Sequence, residues 1–108
     1  MSAISSKLRK WVDPESGNEG LTFWCQGCES AHGIRIKGPG SWGWNGDVDK
    51  PVFSPSVLTT GGGANNVCHT FVGCNGAQAG EVIFLGDCSH GMAGTVQPFP
   101  DLPDWLKG

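Results

Sequence analysis

Cys25-Gln-Gly-Cys28 constrains this chain more than any other run of residues, because it stands at the head of a wider pattern. Of the five cysteines and three histidines, all but Cys74 fall in three short groups: Cys25, Cys28 and His32; Cys68 and His69; Cys88 and His90. Two thiolates separated by two residues can share one tetrahedral ion, and thiols and imidazoles arriving in further pairs suit a second ligand-bearing strand end. An odd number of cysteines, with no basic start, apolar run and cleavage site at the N-terminus, speaks against a disulfide framework and for a metal. Zinc is the expected cofactor, held by Cys25, Cys28, Cys68 and His90, with Cys88, His69 and His32 as alternates. Cys68 is preferred to His69 because successive strand residues face opposite sides. Cys74, alone in a Gly-rich loop, is expected to be incidental. Buried free thiols that merely fill a core are the plainer alternative.

The chain around these groups reads as β structure. Eighteen glycines and seven prolines among 108 residues exclude a helical bundle, since Gly loses entropy in a helix and Pro breaks it. Five Trp and five Phe supply more to bury than a disordered tail carries. Leu21–Cys25 and the alternating Gly33–Gly38 segment are expected to pair across CQGCESAH. Val52–Leu58 can be only an edge or interrupted strand because of Pro55. Val67–Val72 and Glu81–Leu85 should form a hairpin that places Val72 near Glu81 and Cys68 near Leu85. Thr95–Phe99 adds a strand, and Asp101–Leu106 one helical turn whose Trp105 closes the core. The expectation is a mainly β, zinc-braced domain with long Gly/Pro loops and at most one short helix. Residues 1–20 form an N-terminal arm and loop, residues 21–108 the zinc-binding β domain, and Gly61 to Gly63 a hinge between halves.

Function is less constrained. A net charge of −3 disfavours a nucleic-acid coat, although Lys7, Arg9 and Lys10 form a basic cluster. No run approaches the ~20 apolar residues of a membrane span. WCQGC resembles a thioredoxin-type motif, but no helix-forming segment follows it to activate the first thiol. Catalytic zinc would leave Asp87 or an unused histidine as general base, yet the chain has neither HExxH nor H-x-E ahead of the CxxC. No catalytic residue is assigned, and the reading leans away from an enzyme. Trp42 and Trp44, two apart in a loop, are read as a core lid or as a binding pair.

The ordered set FWCQGCESAH, WGWNGDVDKPVFSPSVL, VCHTFV and FLGDCSHGMAGTVQPFPDLPDW resembles a family of small bacteriophage and prophage proteins of unknown function, often mislabelled "ammonia monooxygenase". Its middle motif is matched by Trp42, Trp44, Asn45, Gly46, Pro51, Phe53, Pro55 and Ser56. The resemblance implies a phage-encoded protein in the bacterial host cytoplasm and carries no catalytic residues. On this reading the protein is an accessory factor that binds a host protein of defence or gene expression, with Trp42 and Trp44 as contacts. A zinc-dependent hydrolase or nuclease-like enzyme is the alternative, and a zinc-ribbon-like nucleic-acid binder the third.

Overall fold

A computed structural model describes residues 2–59 and 67–107. The fold is mainly β, with two antiparallel sheets. The first has the order β1 (Ser2–Ala3), β2 (Arg9–Val12), β3 (Glu19–Cys25), β4 (Ser30–Lys37). The second has the order β5 (Gly43–Trp44), β6 (Phe53–Thr59), β7 (Cys68–Val72), β8 (Glu81–Phe84), β9 (Val96–Pro98). One helical turn, α1 (Asp104–Lys107), follows.

The period of two explains which side chains go inside. Leu21, Phe23 and Cys25 on β3 are buried, as are Cys68, Thr70 and Val72 on β7 and Val82 and Phe84 on β8. The sheets share one core, in which the Phe23 ring lies 5.6 Å from those of both Phe53 and Phe99. Ser2–Ala3 and Arg9–Val12 are strands of the first sheet, and Leu8 between them is fully buried. Lys7, from the basic cluster, reaches the Phe99 carbonyl and the Asp101 carboxylate.

Several details differ from expectation. β3 and β4 pair as foreseen, across the CxxC loop. Of the two outcomes expected for a strand containing Pro55, β6 shows the second: it is interior, with β5 at the edge, and interrupted. The proline is accommodated by an irregularity: Phe53 pairs with Val72 and Val57 with Thr70, so Ser54–Ser56 stand opposite Phe71 alone. The β7–β8 hairpin is offset by one residue, with Val72 opposite Val82 and Thr70 opposite Phe84. Trp105 is 71% exposed and packs edge-on against Trp24, while Leu102 and Phe99 close the core. The expected hinge, Gly61 to Gly63, lies outside the described residues.

Candidate functional site

Two constellations meet at β7, one on each face. On the inner face, Cys25, Cys28, Cys68 and His32 bring one ligand atom each to within 4.8 Å of one another. Cys25 ends β3, Cys28 lies in the β3–β4 connection, and His32 sits on β4 opposite Phe23, its ring edge-on to that phenyl at 5.9 Å. Cys68 comes from the other sheet, with its Sγ 3.6 Å from that of Cys25. The connection closes tightly: Glu29 takes the left-handed conformation, and the Cys28 amide donates to the Cys25 sulfur at 3.4 Å. This cluster can hold a metal ion. Two sulfurs at zinc-ligand distance on a tetrahedron would lie about 3.8 Å apart, close to the separation found.

His90 lies beside the cluster. Its Nε2 is 3.5 Å from Cys68 Sγ, and it forms a second group with Cys68 and Cys88. A β-carbon on Gly27 would fall 2.3 Å from the His90 ring, so the CxxC needs its glycine for this close approach. Without an ion the thiols compete for protons. The Cys68 thiol, donating to Cys25, holds Cys25 down at about 3 and is itself raised by that bond and by burial. Burial, with the nearby Cys25 charge, pushes Cys28 up to about 11.

The outer face carries three residues that the sequence placed in other roles or in none. His69 Nδ1 lies 3.0 Å from an Asp87 carboxylate oxygen, and His69 Nε2 lies 2.9 Å from Ser56 Oγ. A carboxylate only accepts, so Nδ1 bears the proton, and the neutral ring then accepts the Ser56 hydroxyl at Nε2. Serine, histidine and aspartate thus form a single relay.

Each member is placed by a specific local device. Ser56 lies in the irregular stretch of β6, where the ladder is interrupted, and the Trp42 indole N–H donates to its carbonyl at 3.1 Å. Asp87 occupies a turn closed by the Cys88 amide donating to the Leu85 carbonyl. That turn is hooked to β7: Leu85 N–H donates to the His69 carbonyl, and the Cys88 sulfur lies 3.3 Å from both the His69 amide nitrogen and its carbonyl oxygen. Side-chain exposure is 25% for His69 and 57% for Asp87, so the relay opens to solvent.

The spacing of the relay explains why it was not foreseen. His69 follows Ser56 by 13 residues and Asp87 follows His69 by 18, with no local motif. The sequence offers His69 as an alternate ligand or, if unused by the metal, as a base, and Asp87 as the base of a metal-bound water, with no serine beside either. Trp42 and Trp44 are half-buried, with Trp44 donating to the Asp47 carbonyl. Cys74 lies apart, its thiol directed at the Phe53 carbonyl.

The model of one protein family, described as "Bacterial ubiquitination-like system serine protease (BubE)", matches residues 3–80. The chain belongs to this family. No match was found among curated proteins or among solved structures. Membership overturns the expectation of a phage accessory protein that binds a host macromolecule, and it does not favour the zinc-hydrolase alternative, because the family's described chemistry is that of a serine enzyme. Loop aromatics and a thiol cluster are visible in the sequence, whereas a relay assembled across three elements exists only in the fold. Among the described residues no helix is long and apolar enough to cross a membrane.

Proposed function

We propose that the chain is a serine protease acting on a polypeptide of a bacterial ubiquitination-like system, with Ser56 as nucleophile, His69 as general base and Asp87 as the group that orients His69. The observation that carries this reading is the two-bond relay, 2.9 Å and 3.0 Å, in a chain whose family is described by that activity. Ser56 Oγ attacks the scissile carbonyl while His69 Nε2 takes its proton. The imidazolium, held by Asp87, returns that proton to the departing amine and leaves an ester on Ser56. Water, deprotonated by His69, then hydrolyses the ester and regenerates the serine. Exposure of the relay suits a macromolecular substrate, whose backbone can reach it without entering a deep pocket.

For the thiol cluster the ion is zinc on this reading. Three sulfurs and an imidazole, all buried but the half-buried Cys28, are a donor set zinc takes in structural sites. Zinc here braces the fold, and hydrolysis belongs to Ser56.

The test is a ubiquitin-like protein carrying a C-terminal peptide extension, incubated with purified enzyme. Wild-type protein releases the extension and Ser56→Ala does not. Equal release by both would contradict the assignment of Ser56.

A further inference from the structure

The cluster offers two histidines for one remaining coordination position, and their surroundings differ. His32 is 8% exposed, its Nε2 is buried without a hydrogen-bond partner among the described residues, and one of its ring nitrogens lies within 4.8 Å of all three sulfurs. A buried polar atom with no partner is costly, and among the described residues no hydrogen bond at Nε2 fixes the His32 ring away from the three sulfurs it already reaches. His90 is already satisfied at both nitrogens. The Met92 amide donates to its Nδ1 at 3.2 Å, so the neutral ring carries its proton on Nε2, which points at Cys68 Sγ. A protonated Nε2 cannot ligate, but it can donate to a thiolate. The ring is further held over Gly27 and edge-on to Phe84 at 5.2 Å.

We propose that Cys25, Cys28, His32 and Cys68 hold one zinc ion, that His90 supports it by donating to the Cys68 thiolate, and that the centre positions the catalytic strand from behind. This rests on the zinc reading above. Three of the ligands belong to the first sheet's β3–β4 hairpin and the fourth to β7 of the second, so the ion ties the two sheets across the core. Cys68 precedes His69 directly, and the two face opposite sides of β7. Fixing the thiolate from inside therefore fixes the backbone that presents the His69 imidazole outside. Such outer-sphere donors as His90 typically change metal affinity by about 10- to 100-fold when lost.

Cobalt(II) titration of reduced, metal-stripped protein distinguishes the two histidines, since cobalt reports both tetrahedral geometry and the number of thiolates by its absorption. Wild type should take up one cobalt per chain with a spectrum of three sulfurs and one nitrogen. His32→Cys, which supplies a ligand rather than removing one, should bind one cobalt with a four-sulfur spectrum. His90→Gln, which keeps an N–H donor, should retain the wild-type spectrum. Labelling of Ser56 by a fluorophosphonate should rise on metal loading in all three. An unchanged spectrum in His32→Cys, or loss of the tetrahedral bands in His90→Gln, would overturn the ligand assignment while leaving zinc in place. Absence of tetrahedral cobalt from the wild type would overturn the zinc reading itself.

Discussion

The two faces of β7 make opposite demands on the chain. Inside, Cys68 meets Cys25, Cys28 and His32 in a largely buried cluster, three of whose side chains come from tight local spacing on one hairpin. Outside, His69 meets Ser56 and Asp87 in a solvent-reaching relay, which depends on an interrupted strand and a turn. The more buried cluster is assembled from a regular pattern, and the solvent-reaching relay is assembled from departures from it. The comparison implies an asymmetry: damage inside should cost the fold and the chemistry with it, and damage outside should cost only chemistry.

The largest effect expected is on that separation. Cys25→Ser should lose the ion and unfold, because structural zinc contributes about 10 kcal/mol or more, comparable with the whole stability of a domain. Ser56→Ala should lose about 10,000-fold or more in hydrolysis with zinc content and thermal midpoint unchanged. Zinc analysis, melting and peptide cleavage on the same two variants would break the comparison if Ser56→Ala lost zinc or stability, or if Cys25→Ser stayed folded. Asp87→Asn should reduce turnover by about 1,000-fold, less than the ~10,000-fold seen where the aspartate is deeply buried, because this carboxylate is more than half exposed. Its folded state and cobalt spectrum should match the wild type.

Trp42→Phe sharpens the outer half. Losing the indole donor to the Ser56 carbonyl should cost about 1 kcal/mol, or roughly fivefold in turnover, with metal binding intact. Asp101→Asn touches neither face and should do least. Lys7, 3.0 Å away, holds the Asp101 carboxyl below its ordinary value of 3.8. A lowered folded pKa contributes stability that is present above about pH 4 and disappears as pH falls through that folded pKa. With Asp101 58% exposed, solvent screening keeps the contribution below about 1 kcal/mol. Melts of wild type and Asp101→Asn should differ slightly at pH 7 and converge near pH 2.

Much of the inner face was legible in the sequence. The β-branched and aromatic run Leu21–Cys25 and the alternation of Ile34 and Ile36 mark β3 and β4, and the spacing of Cys25, Cys28 and His32 belongs to one hairpin, so local rules suffice. What spacing could not decide was His32 against His90, because that depends on which ring nitrogen already has a partner. The outer face was illegible for a different reason. Strand pairing brings Ser56 beside His69 only through the two-residue irregularity at Ser54–Ser56, and a one-residue error in hairpin register misplaces the turn that holds Asp87. A triad is recognised by geometry and roles rather than by sequence order, and here even the order Ser, His, Asp offers no spacing to search for.

The central claim, a serine nucleophile on the outer face of a metal-braced sheet, is tested most directly by intact-mass analysis after exposure of zinc-loaded protein to a fluorophosphonate. The account predicts one adduct per chain, mapped by peptide sequencing to Ser56, and none in His69→Ala, whose serine lacks its base. An adduct mapped to another residue, or no adduct on folded, zinc-loaded protein, would contradict it.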